Sequence, residues 1–227
     1  MSIVAAQGFK RLILPTAVLL GVIVGLGLLV TKVLSNDWPF TAEDALNREL
    51  AGDRTSSWNV ITLFFSTLAS TPVIIAVTAL AALVLRLVLG RWREPLFLCA
   101  AVTAQAIVFF FATLIIDRRR PDVPKMDESP PTSSFPSGHT SAAVALYAGL
   151  ALVLAMLARR TWLKALAWAL LLVPVAVALS RMYRGMHHPS DVAASFVNGA
   201  ACVAVMARSV LDRTVRWGRD QAAALTG

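Results

Sequence analysis

Arg181-Met-Tyr-Arg-Gly-Met-His187-His188-Pro-Ser-Asp191 is a polar island where two apolar runs meet, Ala165–Met182 and Pro189–Leu211. A membrane crossing takes about 20 apolar residues, so each run reads as a span and the island as the turn between them. Ionisable side chains at the edge of membrane-length segments are costly to hold in place. Two histidines, an aspartate and two arginines gathered there point to a site for an anionic group such as phosphate.

Working outward, four further runs qualify as spans: Leu12–Leu34, Thr71–Leu89, Leu96–Ile116 and His139–Ala158. The predicted architecture is an all-α membrane protein, a six-transmembrane-helix bundle. Pro174 falls inside the fifth span and predicts a kink there. Between the first two spans lies a polar interval, Ser35–Ser57. Thr41-Ala-Glu-Asp opens it like a capping box, and Ala45, Leu46 and Leu50 give a weak apolar face, so a short interfacial helix is expected. Trp58–Ser70 is apolar but too short to cross and reads as a surface or half-buried helix. The longest polar insertion, Asp117–Ser137, holds five prolines and should not be helical. The chain is read as one membrane-embedded domain over 1–227, with an interfacial segment at 35–70 and a polar tail at 212–227.

Composition supports this class. The chain is 57% hydrophobic and 15% charged, with mean hydropathy +0.69; soluble domains average roughly 45–50% and about 25%. A net charge of +8 would suggest nucleic acid in a soluble protein. No nucleic-acid motif accompanies it, and loops flanking spans account for much of it, so no nucleic-acid partner is expected. Cys99 and Cys202 both lie in apolar runs without metal spacing and read as core residues. The first run is longer than the apolar part of a signal peptide and lacks a small-residue cleavage site, so it reads as a retained span. The Ala, Leu, Val and Arg bias fits a bacterial, high-GC source.

Basic residues set the orientation. With the amino terminus in the cytoplasm, the inner segments carry twelve basic residues, among them Lys10, Arg11, Arg159, Arg160 and Lys164, against three acids. The outer segments then carry nine against ten. The positive-inside rule therefore predicts both termini in the cytoplasm of a cell inner (plasma) membrane protein, with the polar clusters on the extracytoplasmic face. Two spans separate His139 from His187, and an even number of crossings returns the chain to the same face. Trp38, Trp58, Trp92, Trp162 and Trp217 fall near predicted boundaries, the usual interfacial placing.

Three polar segments can then meet. Ser133-Ser-Phe-Pro-Ser137-Gly138-His139 leads into the fourth span. Ser137 suits a helix N-cap, the free N–H groups of a helix start hold anions, and Gly138 allows close approach to the backbone. In the second segment Asp191 follows His187 by one helical turn and can accept a hydrogen bond from one ring nitrogen. That fixes the tautomer and leaves the other nitrogen as nucleophile or base. In the third, Asp117-Arg-Arg-Arg120-Pro121, guanidinium groups offer paired hydrogen bonds to phosphate oxygens.

Together these segments resemble the type 2 phosphatidic acid phosphatase superfamily, lipid phosphate phosphatases that share their site with vanadium haloperoxidases. The resemblance rests on Arg120-Pro121, on Pro136-Ser137-Gly138-His139, and on Ser180-Arg181 with His187 and Asp191 at the family spacing. It spans roughly 96–211. It implies that His187 attacks phosphorus to form a phosphohistidine, that Asp191 orients it, and that His139 protonates the departing oxygen. It further implies that Arg120, Arg181, Ser137 and the Gly138 N–H hold the phosphoryl oxygens, with neither a metal nor another cofactor. The implied partner is a lipid phosphate in the bilayer: phosphatidic acid, phosphatidylglycerol phosphate, diacylglycerol pyrophosphate or polyprenyl pyrophosphate. Two other readings stay open, a lipid-to-lipid phosphotransferase and a non-catalytic phospholipid-binding or transport protein. The family lysine falls at Thr113, which is uncharged; Arg118 or Arg119 is expected to supply the missing positive group.

Overall fold

Apolar runs of this length close their backbone hydrogen bonds within the segment, as lipid requires. A computed structural model of the chain describes residues 9–128 and 133–212; within them there are helices and no strands. Pro130 and Pro131, Trp217 and the tail beyond Asp212 lie outside the described residues. Among the described residues, six helices are long and apolar enough to cross a membrane. They are α1 (Lys10–Val33), α4 (Thr71–Leu89), α5 (Arg93–Ile115), α6 (Gly138–Leu157), α7 (Thr161–Tyr183) and α8 (Pro189–Leu211). Between the first two lie α2 (Glu43–Gly52) and α3 (Ser56–Leu68). The chain is a multi-pass all-α membrane protein.

α6 and α8 are the most deeply buried spans and form the centre. α5 packs against α8, α1 against both α5 and α8, and α4 against the outer side of α5. Phe97, Val108, Ile23 and Phe135 lie at or near zero exposure in the core between them. Burial of such side chains contributes roughly 1.5–3 kcal/mol each in water; in lipid the tails outside are as apolar as the core, so close fit and hydrogen bonds carry more of the stability.

Pro174 breaks α7 where expected. Without an N–H it cannot bond the Leu170 carbonyl, and the helix divides into Thr161–Ala169 and Leu172–Tyr183. Val173 donates instead to Leu170 at 3.1 Å in a tighter turn. The lower half packs on the end of α6; the upper half packs on α3 and the start of α6.

The interfacial helix α2 is present, but two details of its expected form are corrected. No capping box forms at Thr41, because the helix opens after a tight turn at Phe40–Ala42 with no side-chain cap. Asp44, the acid that would complete the box, pairs with Arg119 and His188 instead. Its protein-facing side is also polar: Glu43 and Asn47 are buried, whereas Ala45 and Leu46 are exposed. α3 shows the opposite division. Val60, Leu63 and Phe64 face outward, and Asn59, Thr62 and Ser66 turn toward α7.

Candidate active site

The insertion after α5 and the turn between α7 and α8 come together at one end of the bundle. Residues 118–119 and 133–134 lie side by side: Ser134 N donates to the Arg118 carbonyl at 2.9 Å, and Ser134 Oγ to the Arg119 carbonyl at 3.0 Å. This fixes the approach to α6.

Ser137 caps α6. Its Oγ accepts from Thr140 N at 3.4 Å and lies 3.0 Å from Thr140 Oγ1. Its N–H donates to Ser195 Oγ on α8 at 2.7 Å. Ser137, which the resemblance assigns to the phosphate, is fully buried, with its Oγ on Thr140 and its backbone N–H on α8. Gly138 and His139, one and two residues on, line the cavity. A Cβ on Gly138 would stand 2.8 Å from Cζ of Phe109, so close approach of that ring requires glycine here.

At the other side, α7 ends in a turn closed by Met186 N on the Arg181 carbonyl, with Gly185 at φ +72°. His187 follows, buried, with Nδ1 2.7 Å from the Ser134 carbonyl. A carbonyl only accepts, so Nδ1 carries the hydrogen and Nε2 holds the free lone pair. The expected hydrogen bond from His187 to Asp191 is not formed: their closest atoms are 3.9 Å apart. Asp191 is drawn back onto the helix start, where Oδ2 accepts from His188 N at 2.8 Å and Oδ1 from Arg118. Its charge still lies beside the ring. Burial pushes the His187 pKa down to about 3, with the Arg181 charge adding to the fall, Asp191 opposing it, and Arg120 lowering it further. The ring is therefore neutral near pH 7.

Two arginines line the same cavity as the two histidines. Arg120 donates Nη1 to the Met186 carbonyl at 2.8 Å; burial lowers its pKa and the nearby Asp191 charge offsets part of that. Arg181 is 4% exposed. Its Nη1 donates to Asp127 Oδ2 at 2.5 Å and to Ser66 Oγ at 2.7 Å, and its Nε is buried with no partner among the described residues. An unpartnered buried donor costs roughly 1–3 kcal/mol, which an incoming acceptor such as a phosphoryl oxygen would relieve. Asp127 is shared with Arg184, which donates Nε at 2.9 Å and Nη2 at 2.5 Å. Burial alone would raise the Asp127 pKa; the Arg184 hydrogen bonds and the charges of both arginines outweigh it and hold the group below the usual carboxylate range.

The cavity measures about 730 Å³. One end is polar, with His139, His187, Arg120, Arg181, Glu128 and Ser133; the rest is walled mostly by apolar side chains of α4 and α5, including Ile74, Ile75, Ile107 and Phe110. Neither Arg118 nor Arg119 reaches it, so neither replaces the family lysine. Arg118 is held by Glu43 and Asp191 on the far side of α8's start, and Arg119 pairs with Asp44 at the surface. The Thr113 hydroxyl is buried without a hydrogen-bond partner among the described residues.

Several contributors escape sequence reading. Ser134, Asp127, Ser66, Glu43 and His188 act through partners 53 to 147 residues away, or through a turn whose direction no motif encodes. Only His188, beside His187, and Arg184, within the same polar turn, carried a local signal.

Helices, cavity and convergent cationic and imidazole groups together define a polytopic membrane protein with an anion-type site at one bundle end. The profile of the PAP2 superfamily matches residues 94–214, more than half of the chain, and the chain belongs to that superfamily. Two solved structures share its fold. One is the first transmembrane PAP2 type phosphatidylglycerolphosphate phosphatase from Bacillus subtilis, with TM-score 0.73 at 18% identity, covering 90% of this chain and 98% of that one. The other is Aquifex aeolicus LpxE, with TM-score 0.57 at 22% identity, covering 72% and 93%.

Proposed function

We propose that this protein is a metal-independent phosphatase of membrane lipid phosphates or pyrophosphates, acting through a phosphohistidine. The observation that carries the proposal is the His187 ring. Its Nδ1 is committed to the Ser134 carbonyl, and the ring lines a cavity shared with His139, Arg120 and Arg181. Nε2 attacks phosphorus and the bond from phosphorus to the lipid oxygen breaks, with His139 giving its proton to the departing oxygen. Water then attacks the phosphohistidine, His139 takes up its proton, and the phosphorus–nitrogen bond breaks to release phosphate. Arg120, Nε of Arg181 and the Gly138 N–H meet the equatorial oxygens, where fixed donors stabilise transition-state charge. Asp191 supports the positive charge that the ring acquires.

A lipid is favoured over a soluble ester by the apolar α4–α5 wall running from the polar end. The excess of basic residues at the opposite end and the outward-facing Trp38 and Trp58 favour cytoplasmic termini, with the site on the extracytoplasmic face of the inner membrane. The test is a phosphate-release panel on purified protein in detergent. It uses phosphatidic acid, phosphatidylglycerol phosphate, diacylglycerol pyrophosphate and polyprenyl pyrophosphate, each with and without chelator. Release that persists in chelator is expected for at least one lipid. Release from none rejects the phosphatase reading, and loss of activity in chelator rejects metal independence.

A further inference from the structure

Behind α8's start, on the side away from the cavity, Glu43 and Arg118 form an ion pair of 2.6 Å with 8% and 10% side-chain exposure. Arg118 Nη1 also reaches Ser190 Oγ at 2.7 Å and Oδ1 of Asp191, whose side chain is fully buried. The second oxygen of Glu43 accepts the Ser190 N–H at 2.8 Å. One surface helix, α2, thus sends its first residue onto the first turn of the span that follows His187.

The charges alternate in a row: Glu43 negative, Arg118 positive, Asp191 negative. Their sum is one negative charge, next to the imidazole. The other charged or titratable groups facing Asp191 are His187, His188 and Arg120, and His188 Nε2 in turn lies 3.1 Å from Asp44. Without Glu43, Arg118 would neutralise Asp191 and remove the negative field that a positively charged phosphohistidine needs. Without Arg118, two carboxylates that now share one guanidinium would be left unbridged in a buried site, which opposes ionisation of both. Charge at this depth is poorly screened, so such changes reach the ring.

We propose that Glu43 and Arg118 are positioning residues for the reaction, a charge pair that sets the orientation and net charge of Asp191 and hence the reactivity of His187. The assignment rests on the phosphatase reading, and it gives the polar segment before α3 a role that no sequence motif carries.

The test is a double-substitution cycle on the full chain in detergent, with whichever panel lipid the wild type hydrolyses, reading kcat, KM and thermal melting. Glu43→Gln keeps an acceptor for Ser190 N but removes the charge; Arg118→Met removes the bridge; the double variant restores the single negative charge. Glu43→Gln should lower kcat about tenfold and Arg118→Met about a hundredfold, each with KM within about twofold of wild type. The double variant should exceed Arg118→Met by about tenfold, since the two charges act as one unit. Unchanged kcat in Glu43→Gln, or a double variant no faster than Arg118→Met, overturns the proposal. If Arg118→Met does not fold, Glu43→Gln decides alone: a lower melting temperature with kcat intact in the folded protein rejects it. A wild type that releases no phosphate overturns the phosphatase reading, and this assignment with it; an active wild type with indifferent variants overturns this assignment only.

Discussion

His187 and His188 are neighbours in the chain and stand on opposite sides of the start of α8. His187 gives one nitrogen to the Ser134 carbonyl and turns its ring toward the cavity. His188 faces carboxylates with both nitrogens, Asp191 Oδ2 at 3.3 Å and Asp44 Oδ1 at 3.1 Å. The same side chain thus serves two ends: one ring keeps a lone pair for chemistry, and the other ties a surface helix to a span. What separates them is the availability of one nitrogen, and that depends on residues distant in sequence.

The largest test of this contrast is a pair of substitutions. His187→Ala should reduce phosphate release by about four orders of magnitude, whereas His188→Ala should lower it about tenfold or less and act mainly on the melting temperature. Equal losses in kcat would erase the distinction. Next, His139→Ala should slow hydrolysis of a lipid phosphate about 10²–10³-fold. The loss should shrink for an aryl phosphate, whose leaving group departs without a proton; an equal loss on both substrates removes the acid role. Arg181→Lys should then cost about 10–10²-fold in kcat/KM, because an ammonium cannot reach Asp127, Ser66 and a phosphoryl oxygen at once. Wild-type kinetics in that variant would show that the unpartnered Nε is not used.

The smallest of these effects is on stability. Below the ordinary histidine pKa of about 6.5 the unfolded chain takes up a proton that buried His187 refuses, so stability falls as pH falls toward the native value of about 3. His187→Asn keeps a donor for Ser134 and cannot titrate. The Tm of the wild type should therefore drop more steeply than that of the variant between about pH 7 and about pH 5. Parallel curves would mean that the native ring is not held neutral.

The spans were legible because each is a continuous apolar run, and His139, Arg120, Arg181 and His187 because each sits in a short motif at a span boundary. Parity of crossings was enough to bring them to one end. Side-chain direction was not legible. Ser137 carries the right chemistry for phosphate, but its hydroxyl caps its own helix and its amide is held by Ser195. Asp191 has the right spacing for His187, but the backbone N–H of His188 and the guanidinium of Arg118 compete for it. Thr41 offered a capping signal that failed because Asp44, its would-be partner, finds Arg119 and His188 across the molecule. Local caps and partners distant in sequence, such as Ser195 for the Ser137 amide and Arg118 for Asp191, decide these directions together, and no motif encodes the distant ones.

The division of α7 at Pro174 has a mechanical consequence. The half bearing Arg181 is braced by α3, and the half below the break is braced by the end of α6. A bilayer that thins or thickens tilts the spans within it, and the interruption lets the lower half follow while Arg181 stays in register with the histidines. We predict that turnover in vesicles of shorter and longer acyl chains varies little for the wild type and more for Pro174→Ala, in which the helix can heal and transmit the tilt. Equal sensitivity of the two proteins would show that the break absorbs nothing.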